Sequence, residues 1–407
     1  MKKTMRTLIK LSLLSAVIFA SASAVAADLK IAPYYSLSFT EGITVPNKGN
    51  WMFSANLVND LGLIVQPSEK HRIIGFYELK YTGPGFRKQE GEKFSDRAMD
   101  HIMVLRHHYN FMPEYTLKTQ FDYMTEYKRT GTNEVWGSGL YDFNRAGGSL
   151  GLERKINADL KATAQLQYHF LSFPNYTDLL SEFQTGGEDA EASTGKQNHG
   201  IIQAGLKATY KDINGGLDVS MLNYQKQKVI TDSIQADGTY YSAELQKDMT
   251  IAFSADYTRK LWDLLVLTPS LGYKIKTSNQ NYQHFTVATS TVPVKYIGKY
   301  YDYQELSIVI PVSVMLGSRW EYFFNTEWDW RFYSARPPRD MENNFVDGTQ
   351  GNSLMIVSTG FTLKPNEVTR TVFYYGYQSQ TSNMKFEKYL PYNYDGHSFG
   401  ISFNYSY

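Results

Sequence analysis

Leu160-Lys161-Ala162-Thr163-Ala164-Gln165-Leu166-Gln167-Tyr168-His169-Phe170 alternates without a break. Leu160, Ala162, Ala164, Leu166, Tyr168 and Phe170 fall on one face of an extended chain, and Lys161, Thr163, Gln165, Gln167 and His169 on the other. Successive strand side chains point to opposite faces, so this segment has one apolar and one polar surface. The pattern recurs in both directions along the chain. In 115–128, Tyr115, Leu117, Phe121, Tyr123 and Tyr127 oppose Lys118, Gln120, Asp122, Glu126 and Lys128. In 319–333, Trp320, Tyr322, Phe324, Trp328, Trp330 and Phe332 oppose Glu321, Asn325, Glu327, Asp329 and Arg331. At about 10–15 residues such segments exceed the five or six of an ordinary soluble strand.

That length matches a tilted strand crossing a bilayer, and the aromatic residues gather toward segment ends, where their rings would sit at headgroup level. The expected fold is all-β: a transmembrane antiparallel up-and-down β-barrel. Its connections alternate in length. Short joints rich in Pro, Gly, Asn and Asp occur at 66–70, 112–114, 157–159, 211–216, 262–263, 317–318 and 364–367. Each of those residue types has direct turn chemistry. Longer polar stretches lie near 41–49, 84–97, 130–142, 172–198, 231–247, 277–299, 335–352 and 381–396. Seven short and eight long connections imply about sixteen strands, an even number that leaves both termini on one side. Fourteen and eighteen are the alternatives, because 29–66 and 277–300 carry mixed signals.

The N-terminus reads as an export signal. Lys2, Lys3, Arg6 and Lys10 precede the apolar run 11–20, and Ala24-Val25-Ala26 supplies a small-residue cleavage site. The expected organisation is a signal peptide over 1–26 and a barrel over 27–407, exported to the outer membrane. With those four set aside, 37 basic residues face 40 acidic ones, which excludes the basic excess of a nucleic-acid binder. A mean hydropathy of −0.40 and the lack of any later long apolar run exclude a polytopic helical membrane protein. Cysteine is absent, which excludes disulfide scaffolds, thiolate metal sites and a lipid-modified cysteine.

The chain ends Phe399-Gly400-Ile401-Ser402-Phe403-Asn404-Tyr405-Ser406-Tyr407. With the export signal and the alternating segments, this ending resembles outer-membrane β-barrel proteins of the porin type. The resemblance implies that Phe399, Ile401, Phe403, Tyr405 and the terminal Tyr407 form the signal read by the barrel-insertion machinery. Tyr407 stands where phenylalanine is commoner. The stretch Gly131–Gly137 does not match the constriction-loop motif of the trimeric general porins, so the resemblance does not extend to trimeric assembly.

No enzyme motif is present: neither His-Glu-x-x-His, nor Gly-x-Ser-x-Gly, nor a phosphate-binding glycine loop. His107 and His108 alternate faces and cannot converge on one metal, and no catalytic residue, metal site or cofactor is expected. A barrel of sixteen strands is wide enough for an aqueous lumen, and the expected inner faces are polar and charged throughout. The leading functional expectation is a channel for passive diffusion of small hydrophilic solutes. A surface-binding or structural barrel is the second, motivated by the tyrosines of 238–242 and 388–394, and a membrane enzyme the third. Arg145, Lys161, Lys207, Lys226, Lys228, Lys274 and Lys276 should line one arc of the pore, and Glu305, Glu321, Glu327 and Asp329 another. Opposed arcs would set a transverse field; the plainer expectation is solvated wall charges neutralised by neighbours such as Asp122, Asp218, Asp256 and Arg331.

Overall fold

A computed structural model describes residues 29–47, 51–83, 96–130, 135–176, 195–287, 290, 292–388 and 391–407. The expected signal peptide lies outside the described residues. The strands are β1 (Lys30–Pro46), β2 (Met52–Ser68), β3 (His71–Gly83), β4 (Arg97–Met112), β5 (Tyr115–Arg129), β6 (Phe143–Lys155) and β7 (Leu160–Ser172). After them come β8 (His199–Tyr210), β9 (Ile213–Ile230), β10 (Tyr241–Tyr257), β11 (Arg259–Leu261), β12 (Leu265–Leu267) and β13 (Ser270–Ser278). A short pair, β14 (Tyr282–His284) and β15 (Lys295–Ile297), precedes β16 (Tyr303–Met315), β17 (Trp320–Tyr333), β18 (Gly351–Leu363), β19 (Thr369–Ser382) and β20 (Tyr394–Ser406).

Every neighbouring pair is antiparallel, and β20 returns to pair with β1 from Ser36 with Ser406 to Pro46 with Gly396. Tyr35 and Tyr407 seal the seam, each backbone N–H donating to the other's carbonyl at 3.1 and 2.8 Å. Closure removes the free sheet edges that would otherwise expose unpaired backbone groups to lipid. β11 and β12 continue β10 and β13 into the turn, so the barrel has sixteen staves, as the connection count implies. β14 and β15 form a separate two-stranded hairpin within the long connection before β16.

The turns show why particular residues end the strands. Leu264 N–H donates to the Leu261 carbonyl at 3.2 Å, and the central Trp262 and Asp263 have φ of 53° and 55°. Two positive φ values make this a type I′ turn, whose twist matches that of the strands it joins. Trp262, 85% exposed, projects at this rim, where an amphipathic ring is at home.

Several strands outrun the sequence expectation on the long-loop side. β1 continues through Pro46 into the expected loop 41–49, β10 begins at Tyr241 rather than near 248, and β20 begins at Tyr394 rather than 397. On the short-turn side, β9 begins at Ile213 rather than 217, with Lys211 at φ 52° making the turn.

Candidate functional site: the inner wall

β4 settles which face looks inward. Met103 and Leu105 are 51% and 38% exposed, whereas Ile102 and Val104 beside them are each 8% exposed. Only the outer face of a membrane barrel offers large apolar side chains to lipid, so the parity of Ile102 and Val104 is the inner one. Cross-strand register carries that parity around the ring: Val104 faces Asp122, Asp122 faces Gly147, and Gly147 faces His169. The C-terminal Phe399, Ile401, Phe403 and Tyr405 fall on the outer parity, opposite Ile43, Glu41, Phe39 and Leu37 of β1.

The inner wall is not polar throughout, a correction to the sequence expectation. Ile102, Val104 and Met124 form a buried cluster with Phe76 and Phe143 packed against it. These side chains cover one another, which lowers the cost of facing inward. Ile102-Met103-Val104-Leu105 is an unbroken apolar run, so alternation does not mark an inner face there.

Many of the wall charges pair across strands. Asp122 is held by Arg145 at 3.2 Å and by His169 Nε2 at 3.0 Å, with Gln120 Nε2 donating at 3.1 Å. His169 lies two strands from Asp122, and the pair meets over Gly147, where a Cβ would collide with the His169 ring and with the Tyr168 carbonyl. Glycine is required there because any side chain would fill the gap that the contact crosses. Glu153 takes Lys118 at 2.7 Å and Lys161 at 3.6 Å. Lys276 pairs with Asp248 at 3.2 Å. Glu305 is shared by Lys274, at 2.6 Å, and Arg331. Glu321 pairs with Lys364 at 2.6 Å.

The expected basic and acidic arcs therefore touch at their boundary, where Lys274 on β13 meets Glu305 on β16. Lys207 lies on the inner parity between Thr163 and Gly216. Lys226 and Lys228 stand past the last rung that β8 and β9 share, His199 with Tyr224, where β9 meets β10 through a shifted register. Glu327 and Asp329 sit mid-strand on β17, facing Val309 and Ser307 on one side and Ile356 and Leu354 on the other.

Sequence reasoning left Asp60, Glu78, Lys80, Asp100, Lys118, Glu126, Glu153, Asp248 and Lys364 out of the lining set. Asp60 faces Glu78, and Asp100 lies between Lys80 and Glu126. For most of them the same parity rule would have found them. Asp60 lies in the segment whose alternation is broken by Asn59 and Gly62.

His107 and His108 point to opposite faces, as alternation requires. His107 Nε2 instead meets His71 Nδ1 on the neighbouring strand at 2.9 Å, with the two rings nearly parallel. Among the described residues no group of three or more His, Asp or Glu is placed to hold a metal ion.

Beyond the strand ends, the long connections fold against one another through cations on rings. Arg336 lies 4.7 Å from the Tyr300 ring and 4.8 Å from Tyr333, and donates to the Tyr392 hydroxyl at 3.2 Å. Arg339 covers Phe345 at 4.7 Å and donates to the Tyr282 hydroxyl at 2.8 Å. Burial pushes the Tyr300 hydroxyl above its ordinary pKa, so it stays neutral within this cluster.

No family model matches the chain, and no curated protein matches it in sequence. Solved structures do match in fold. OmpT, an outer membrane protein of Vibrio cholerae, is 11% identical with a TM-score of 0.47, covering 94% of this chain and 99% of its own. An anion-selective porin from Comamonas acidovorans is 9% identical with a TM-score of 0.46, covering 93% and 100%. CdiB from Acinetobacter baumannii is 10% identical, also at 0.46, covering 93% of this chain and 65% of its own. At these identities the likeness concerns the fold alone, and in fold the chain is similar to outer-membrane β-barrels.

Proposed function

We propose that the chain is an outer-membrane channel for passive diffusion of small hydrophilic solutes. The observation that carries this reading is the inner wall: a closed ring of sixteen staves whose inward faces hold carboxylates, lysines and arginines at mid-strand. A barrel of about eight strands is filled by its own side chains, whereas one of about sixteen leaves an aqueous path. Charges on such a wall are stable only where water reaches them or partners answer them. Cleavage of an export signal after Ala26, and recognition of Phe399, Ile401, Phe403, Tyr405 and Tyr407 by the barrel-insertion machinery, would deliver the chain to its lipid partners in the outer membrane.

The alternative, a surface-binding barrel, rested on loop tyrosines. Tyr240 is buried and Tyr392 accepts a hydrogen bond from Arg336, so these two rings are engaged inside the protein rather than displayed for a partner.

Recording from the purified mature protein in planar bilayers tests the reading. Stepwise, ohmic conductance in potassium chloride is expected. A protein that inserts, keeps a strand-dominated far-UV spectrum and passes no current would overturn it.

A further inference from the structure

The outer face of the barrel is ridged with large apolar side chains, and one patch beside the short turns departs from that relief. Ala162, Ala208, Gly215 and Ala255 are rungs of one row across β7 to β10, on the parity that Leu166 presents to lipid. Tyr210 and Ile213 rise on the turn side of this row, and Leu206 and Phe253 on the side toward the middle of the barrel. The small side chains, with Ala164, leave a hollow of about 600 Å³ that opens to the lipid side and is walled by Tyr115 and Leu152 at one end. Packing within the barrel does not require it. Gly215 has no positive φ, and a Cβ there would meet only the Ser254 carbonyl at 4.0 Å.

Arg154 continues the same row on β6, opposite Ala162 and one residue from the strand end, and lines the hollow. Its guanidinium lies 5.3 Å from the Tyr115 ring. Among the described residues no carboxylate pairs with it, since the adjacent Glu153 turns inward to Lys118 and Lys161. Beyond Tyr210, Lys211 adds a second cation 5.4 Å from that ring, answered by Asp159 only at 3.8 Å. A cation on a lipid-facing strand is least costly at headgroup level, where the anion it meets is a lipid phosphate. Within lipid the hydrophobic effect does not favour one chain over another, so an apolar hollow positions a chain by close packing and the charge at its edge selects the headgroup.

We propose that this hollow holds an acyl chain of an anionic glycerophospholipid from the leaflet on the short-turn side, whose phosphate accepts hydrogen bonds from Arg154. The site lies outside the lumen, and its test does not depend on the channel reading.

Native mass spectrometry of protein released from vesicles of equal phosphatidylglycerol and phosphatidylethanolamine content reads the retained lipid directly. The wild type should retain phosphatidylglycerol about fivefold over phosphatidylethanolamine. R154Q should abolish that preference. A162L/A208L fills the hollow from side chains that face lipid, and should strip both lipids while the far-UV spectrum stays strand-dominated. Equal retention of the two lipids by the wild type, a preference that survives R154Q, or retention that survives A162L/A208L would each overturn the site. A wild type that carries no lipid and has an oligomeric mass, reduced to the monomer in A162L/A208L, would assign the face to a second copy of the chain and overturn it as well.

Discussion

Leu166 and Gln165 are adjacent in the chain and face different solvents. Leu166 is 56% exposed on the outer parity, in a row with Leu150 and Ala204, while Gln165 looks inward between Gly151 and Gly205. Arginine at Leu166 should cost roughly 2–4 kcal/mol, the penalty of a cation on the lipid face near the midplane. Arginine at Gln165, bordered by two glycines and facing the interior, should cost far less. Denaturant unfolding of the two variants in lipid vesicles measures the difference, and equal costs would mean that the register of β7 is shifted by one. This parity was legible in the sequence because it depends only on alternation. Ion partners were less legible. Asp122 and Arg331 could be named as neutralising neighbours, but Lys118 with Glu153 and Lys364 with Glu321 could not. A cross-strand partner is set by register, and register depends on turn geometry that parity does not encode.

At the scale of elements, alternation marks a strand only where its two faces meet different solvents. Within the bilayer one face meets lipid, so the middle of each stave shows period two. Beyond it both faces meet water, and β1 beyond Thr40, β10 before Asp248 and β20 before His397 continue their hydrogen bonding without any such signal. The β14–β15 hairpin lies wholly in that silent region. His284, at its edge, stands edge-on to Phe345 at 5.1 Å, with Arg339 and Lys295 over the same ring and the Tyr282 hydroxyl 3.4 Å from its Nδ1. Burial, and then the charge of Arg339, lower its pKa below the ordinary histidine value. In the loosened state His284 titrates near its ordinary value of about 6.5. Above that pH both states are neutral and the hairpin keeps its full stability. As pH falls through about 6.5, the loosened state takes up a proton that the packed state refuses, so packing weakens until the lowered folded pKa is reached. Amide exchange across 282–284 and 295–297 should accelerate between pH 7 and pH 5, and H284F should remove that dependence. Exchange in the mid-stave amides of β7 should not follow it. Acceleration that persists in H284F would assign the effect to another group.

The whole molecule sums these local charges into one field. Although Lys274 is partnered by Glu305, removing its charge changes the potential in the lumen by the field of that charge alone, because electrostatic contributions add. Pairing decides how much of the wild-type field remains, since an ion pair acts at a distance as a dipole rather than as a charge. Lys207 and Lys226 lie away from the acidic side of the wall, whereas Lys274 sits at the boundary beside Glu305 and Arg331. Replacing Lys207, Lys226 and Lys274 together with Gln should therefore shift the zero-current potential toward cation preference. The shift should be largest at low salt. The screening length is about 30 Å at 0.01 M and about 3 Å at 1 M, so at high salt a wall charge acts only on an ion that touches it. The comparison of the two salt conditions distinguishes mechanisms. A shift that fades with salt is a field effect of the wall. One that persists at 1 M means that permeating ions contact these lysines directly. No shift in either condition would mean that the three lysines have no influence on which ions pass.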